Sequence, residues 1–251
     1  MSEKSTSATV DGVRAMELLY RPIKNVDDDS VSFYQTQLRL NGPALGVLMP
    51  VDFIPVAELT DQCISIFKLA FVQLLQAADK FKTREIDFSW ISLYMPLRFL
   101  RRVDCVKVVS DLCEKLNVEN NKICFEISVA ILDERNEAAA DNIKNFRKKG
   151  FHFLLNSFGD SSGNMMKMAD YNFDFVMLSP SIVKSLGGGE RADSCVRSLI
   201  SFVNDLGAEP VAAEVFNNSQ LSKLSEFQCL YYTGESAGKF IAERYMRKRN
   251  N

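Results

Sequence analysis

The sequence predicts an α/β protein built on a parallel sheet. At this length the sheet closes into a (β/α)8 barrel of TIM type, with a doubly wound open sheet as the alternative. Three observations carry this. Apolar segments of strand length alternate with segments of helix length about seven times along the 251 residues. The strand segments are apolar along most of their length, as parallel strands covered on both faces are. No G-x-G-x-x-G follows the first strand, which counts against a dinucleotide-binding open sheet.

The elements follow in order. Residues 1–14 are small and polar, without a period, and read as a disordered tail before a single domain spanning 15–251. MELLYRPI (16–23) and VSFYQTQLRL (31–40) flank an Asp-rich turn and read as a hairpin. NGPALGVLMP is a Gly/Pro loop, and 51–81 turns helical, with apolar residues at Ile64, Phe67, Phe71, Leu74 and Leu75. Strands then fall at 86–95, 122–129, 151–158, 173–180, 209–215 and 229–234. Helices fall at 97–116, 138–150, 164–171, 191–206 and 218–227, with a closing one in SAGKFIAERYMRKR. Gly150 and Gly207 read as helix stops.

Composition removes several classes of function. Hydrophobic residues are 47% and charged residues 25%, ordinary for a globular domain with a large core. A net charge of −2 carries no global nucleic-acid or membrane signature. The basic run RYMRKR reads as a solvated helix end. No apolar run approaches the roughly 18 residues of a membrane span. The polar N-terminus has no signal-peptide core. Six scattered cysteines with no C-x-x-C read as reduced, mostly buried thiols, and the expected location is cytoplasmic. The single histidine, His152, lies in an apolar strand and reads as a core or sheet-face residue.

In a barrel of this kind chemistry sits at the C-terminal strand ends. There the sequence offers Gln35, Gln37 and Arg39, then Tyr94, Glu126, Ser128, Asn156, Ser157, Ser179, Glu214 and Thr233. Only two are carboxylates. A Mg²⁺ or Mn²⁺ site wants several oxygen donors, carboxylates among them, to offset the ion's charge. Neutral amides and hydroxyls are poor substitutes.

These stretches, in order, resemble the EAL-domain family, the cyclic di-GMP phosphodiesterases of bacteria. YRPI at 20–23 is similar to the family's Y-Q-P-I opening, and QTQLR at 35–39 falls where E-A-L-L-R is usual. VDFIPVAE at 51–58 resembles x-x-F-I-P-x-A-E, and ISLYMPLRFL at 91–100 lies where I-S-V-N-L-S-P-R-Q-L is usual. FEIS at 125–128 resembles L-E-I-T-E, and LLNSFGDSSG at 154–163 resembles A-L-D-D-F-G-T-G. FDFVMLSPSIV at 173–183, AAEVFNN at 212–218 and YYTG at 231–234 complete the series. The resemblance runs from Leu18 to Lys239 and implies an EAL-type barrel whose first strand is antiparallel to its neighbours.

The departures from the family pattern decide the functional expectation. The resemblance puts metal ligands, a glutamate and an asparagine, at Gln35 and Tyr94, and paired aspartates at Asn156 and Ser157; of the family's carboxylates at these strand ends only Glu126 and Glu214 are kept. The lysine that helps orient water is Met177, the following aspartate is Ser179, a further glutamate is Asn217, and a late glutamine is Thr233. The second acidic position after Glu126 is Val129. The expectation is a protein with no phosphodiesterase activity, no metal and no cofactor. A residual pocket is marked by Arg39, Glu126 and Glu214. Three functions remain open: a regulator acting through an unidentified protein partner in bacterial signalling; a non-hydrolysing cyclic di-GMP receptor; an enzyme of altered chemistry. Cyclic di-GMP is expected to bind weakly or not at all. The methionines at 165, 166 and 168 read as loop and core filler, with a homodimer contact as the alternative the resemblance implies for this stretch.

Overall fold

A hairpin opens the barrel. In the computed structural model, which describes residues 9–10, 13–42, 44, 46–133, 136–160 and 164–248, β1 (Met16–Asn25) pairs antiparallel with β2 (Val31–Gly42). Asp29 takes a positive φ of 59° in the turn, the conformation Asp tolerates better than most residues. Six more strands follow: β3 (Trp90–Tyr94), β4 (Ile123–Ser128), β5 (His152–Phe158), β6 (Phe175–Leu178), β7 (Glu209–Ala212) and β8 (Tyr231–Tyr232). From β2 to β8 each pairs parallel with the next. β8 then meets β1 antiparallel, Tyr231 opposite Asn25, and the eight-stranded ring closes. This is the expected barrel with its reversed first strand, and the open-sheet alternative is excluded.

Strand alternation sorts the barrel interior into layers. The lower layer is apolar: Ile23, Phe33, Trp90, Cys124, Leu154, Phe175 and Val211 pack together. Phe33 stacks on Trp90 with ring centroids 4.1 Å apart. Two residues further along the parallel strands, and two back along reversed β1, the same face carries Gln35, Ser92, Glu126, Asn156, Met177 and Arg21. The mouth of the barrel is therefore polar because each strand keeps its phase.

The second core lies between barrel and helices. Helix α1 is Pro50–Ala57, α2 Gln62–Thr83, α3 Leu97–Leu100, α4 Cys105–Lys115 and α5 Glu137–Lys148. Helices α6 (Pro180–Lys184), α7 (Glu190–Asp205) and α8 (Asn218–Glu226) complete the set. Their buried stripes keep the helical period: Cys105, Val109 and Cys113 in α4; Ala139, Ile143 and Phe146 in α5; Val196, Ile200 and Val203 in α7. Asn136 caps α5 by accepting the Ala139 N–H at 2.9 Å, and Gly150 ends it with φ +91°. Five cysteines are buried and Cys195 is exposed, all as free thiols. Burial pushes Cys105, Cys113 and Cys229 up to about 12. His152 sits half-buried on the barrel wall, Nδ1 3.9 Å from Asp174, away from the mouth.

Several elements differ from the sequence reading. The single helix expected at 51–81 is two, parted at Glu58–Asp61. Thr60 Oγ1 donates to the Ala57 carbonyl and accepts the Gln62 N–H, and this local bonding competes with the helix ladder. The helix expected at 97–116 also breaks, at Arg101–Asp104, where Arg102 clasps Asp104. Part of the expected Gly/Pro loop is a short strand, Gly46–Leu48, on the edge of β2. Residues 165–170 form a 3-10 helix, and 180–184 form a helix the periodicity did not signal.

The closing helix does not form. Ile241 and Ala242 instead pair with Tyr20 and Leu19 of β1, and Glu243 forms ion pairs with Lys80 and Arg84. Pairing with an otherwise open edge of β1 satisfies backbone groups that a solvated helix would leave there unpaired. Of the expected disordered tail, residues 1–8 and 11–12 lie outside the described residues, while Thr9–Val10 pairs with Val13–Arg14. Among the described residues no helix is long and apolar enough to cross a membrane.

Candidate functional site

A cavity of about 600 Å³ opens at the C-terminal ends of the strands, between the polar layer of the barrel and the overhanging α1 and α2. Its floor is built by strand register. Arg21 stands directly opposite Gln35 in the β1–β2 pair, which brings both side chains to the mouth. Arg21 Nη1 lies 2.6 Å from Glu214 Oε1, and Nη2 donates to Gln35 Oε1 at 3.1 Å. The Phe240 ring covers the guanidinium, 4.3 Å from its centroid. The Arg21 side chain is only 10% exposed. Its Nε is buried with no hydrogen-bond partner among the described residues.

Glu126 is buried beside this pair. It accepts from the Ser92 hydroxyl and from Asn156 Nδ2, the latter at 2.9 Å. Burial pushes its carboxyl above the usual range, against the opposing pull of Ser92, Gln35, Arg21 and Asn156. Ser157 Oγ contacts Asn156 Oδ1 at 3.4 Å. Met177 is buried in the lumen, and Gln35 Nε2 contacts its sulfur at 3.7 Å.

The backbone at two of these positions is left-handed: φ is +60° at Ser157 and +52° at Glu214. Neither residue type favours that region, at a cost of roughly 1–3 kcal/mol each, and such conformations cluster at binding sites. Gly234 explains how Glu214 is held. A Cβ there would meet Val215 N at 2.4 Å and Glu214 Cα at 2.7 Å, so only glycine lets the two loops close.

α1 forms the roof. Pro50 starts it, and the Asp52 carboxylate accepts the Met49 N–H at 2.8 Å. Phe53 and Ala57 face inward, while Val51, Pro55, Val56 and the following Leu59 are exposed. Tyr94 pins the far end by donating its hydroxyl to Glu58. Burial, then Glu58, pushes the Tyr94 hydroxyl pKa far up, so the proton stays on the oxygen.

Of the residues singled out in the sequence, Gln35, Gln37, Tyr94, Glu126, Ser128, Asn156, Ser157, Met177 and Glu214 line the cavity. Four do not. Arg39, expected in the pocket, pairs instead with the buried Glu17, which also holds Arg244. Ser179 and Asn217 cap α6 and α8, and buried Thr233 donates to the Pro22 carbonyl at 3.0 Å. Sequence reasoning missed Arg21, Ser92 and Glu58. Arg21 was visible in YRPI as an arginine where the resemblance has glutamine. Ser92 and Glu58 carried no signal beyond strand phase and a motif letter.

The donor set does not fit a divalent metal. Among the described residues no three of His, Cys, Asp and Glu come together to hold an ion. Of the two strand-end carboxylates, Glu214 is already paired with a guanidinium and Glu126 is tied to Ser92 and Asn156. No lysine lines the cavity, and Arg21 is its one cation among the described lining residues.

A family model described as EAL domain matches residues 11–239. The cyclic di-GMP phosphodiesterase PdeB of Shewanella oneidensis is 24% identical over 235 residues, covering 88% of this chain and 26% of that protein. The cyclic di-GMP phosphodiesterase RocR of Pseudomonas aeruginosa is 22% identical over 229 residues, covering 91% and 58%. The solved FimX EAL domain from Pseudomonas aeruginosa bound to c-di-GMP has a TM-score of 0.79 at 16% identity, covering 91% of each chain. At that identity the likeness shows the fold alone. This chain spans 28%, 26% and 27% of the length of three curated relatives.

Proposed function

The chain belongs to the EAL domain family of cyclic di-GMP signalling, and from that premise we propose that it is a cytoplasmic regulatory member without phosphodiesterase activity that acts by binding a protein partner. The observation that carries the reading is the composition of the polar layer. Hydrolysis of a phosphodiester needs an activated water and positive charge at the phosphate. Here Asn156, Ser157 and Gln35 are neutral, and Met177 in the same layer offers only an uncharged thioether. The scaffold that presents these groups is nonetheless intact, down to the left-handed turns at Ser157 and Glu214.

A partner role is supported by the roof of the cavity. Val51 is 79% exposed, Val56 66% and Leu59 76%, and Val51, Pro55 and Leu59 follow at intervals of four. Such a stripe on a short helix beside a concave site suits protein contact. The test has two arms. Purified protein incubated with cyclic di-GMP and Mg²⁺ or Mn²⁺ yields no linear dinucleotide; turnover rejects the reading. Cross-linking in cells captures a defined partner, and Val51→Asp with Val56→Asp abolishes the capture while the thermal midpoint is kept.

The second reading, a non-hydrolysing cyclic di-GMP receptor, is favoured by the cavity itself, which retains about 600 Å³ and one cation, Arg21. Against it stand Glu126 and Glu214, which oppose a dianionic ligand.

A further inference from the structure

We propose that Arg21 is a tethered replacement for a divalent cation, and that this guanidinium, more than the lost carboxylates, is what bars metal from the pocket. The inference does not rest on the partner reading and is read out by metal binding alone.

The argument starts from the register. Because β1 runs antiparallel, its inward face brings Arg21 level with Gln35. There the guanidinium contacts the surviving carboxylate of Glu214 at 2.6 Å and the Gln35 amide oxygen at 3.1 Å. Glu214, Gln35 and Glu126 come from three separate strand ends; the resemblance puts a metal ligand at Gln35 and keeps the family's glutamates at Glu126 and Glu214. A guanidinium bridging Glu214 and Gln35 does part of what an ion would do: it offsets the Glu214 charge and fixes the orientation of both side chains. Phe240 and the barrel wall keep it in place, since the side chain is 10% exposed.

A buried arginine and a divalent cation cannot share these oxygens. The ion would sit within a few ångströms of a fixed positive charge that is itself sheltered from water, where screening is weak. Arginine does not shed its proton to make room. Restoring oxygen donors around it therefore leaves the repulsion in place.

The experiment crosses two changes, with Mn²⁺ alone as the probe in calorimetry and electron spin resonance. The donor-restored protein, Gln35→Glu with Asn156→Asp, is prepared with Arg21 kept, with Arg21→Lys and with Arg21→Gln. The expected result is no Mn²⁺ affinity tighter than about 1 mM while a cation stands at position 21, and at least a ~10-fold gain with Arg21→Gln. Mn²⁺ raises the thermal midpoint only of the Arg21→Gln protein. Equal Mn²⁺ affinity with Arg21 kept and with Arg21→Gln overturns the proposal, as does Arg21→Lys binding as tightly as Arg21→Gln. Should Arg21→Gln not fold alone, refolding with Mn²⁺ recovers it; failure of Mn²⁺ to do so also overturns the proposal.

Discussion

The Tyr94 hydroxyl, at the end of β3, donates to the Glu58 carboxylate at the end of α1, so one hydrogen bond ties the barrel rim to the roof of its cavity. The donor keeps its proton, because burial and the Glu58 carboxyl beside it push the Tyr94 hydroxyl pKa far up. Tyr94→Phe removes the donor and leaves Glu58 facing a ring edge. The expected cost is about 1–2 kcal/mol in denaturant unfolding. Amide exchange in residues 50–57 should rise more than in α4 or α5. Equal exchange in all three would show that the roof is held by packing alone.

Cyclic di-GMP should bind with a dissociation constant above roughly 10 μM, less than about 7 kcal/mol. Arg39 is already paired with Glu17, which it shares with Arg244. Arg39→Ala should therefore lower stability without changing ligand affinity, as read by a fluorescent ligand analogue. Sub-micromolar binding abolished by Arg39→Ala would put the receptor reading first.

Gln35→Glu alone should produce no hydrolysis. It adds one carboxylate beside Arg21 and leaves Asn156, Ser157 and Met177 as they are. Linear product above the uncatalysed background, detected by chromatography in the presence of Mn²⁺, would contradict this.

Asp174 sets part of the acid limb of stability. Burial pushes its carboxyl up, but His152, the Phe153 N–H and Arg147 outweigh burial and hold it below the ordinary 3.8. Phe153 N–H and Arg147 both contact it at 2.8 Å. A depressed carboxyl favours the folded state at any pH above its unfolded value, and that contribution is lost as pH falls through the folded one. Asp174→Asn should cost about 1–2 kcal/mol at neutral pH and flatten the decline of stability below pH 3.8. Parallel acid limbs in the two proteins would show that other carboxyls dominate.

Gly234→Ala should be among the most damaging small substitutions. The added methyl would meet the Val215 nitrogen at 2.4 Å and force the Glu214 loop outward, at φ +127°. A loss of about 2–4 kcal/mol is expected. Gly187→Ala is the matched control: φ is +85° but nothing lies within 4 Å, so it should cost only about 1 kcal/mol. Similar losses at both positions would mean that backbone conformation, not the close approach to Glu214, is what matters.

The barrel was legible because its strands are apolar on both faces and its helices keep a buried stripe every turn, as Cys105, Val109 and Cys113 do. The departures at Gln35, Asn156, Ser157 and Met177 were legible because the flanking motifs fix their register. Less was legible where a side chain's partner comes from far along the chain. Arg39 read as a pocket residue until Glu17 took it, and Arg21 passed unnoticed because its role depends on a hairpin phase that one letter does not reveal. The same limit applies to Ile241–Ala242, where a distant open edge of β1 overrides a helix-like composition.

The reversed first strand also sets an order of events in time. β1 meets β2 across a short turn, so that hairpin closes only a small loop. Its other edge waits for residues 230–242: Val26 N–H reaches the Leu230 carbonyl at 2.9 Å, and Thr233 reaches Pro22, 211 positions away. Contacts of such separation form late, because the intervening loop must be closed before they stabilise anything. The ring is thus sealed along one seam, between β1 and β8, after the rest of the wall stands. Until then the Arg21 edge of the hairpin is open to other strands, and a chain halted before residue 230 presents a wall that cannot shut.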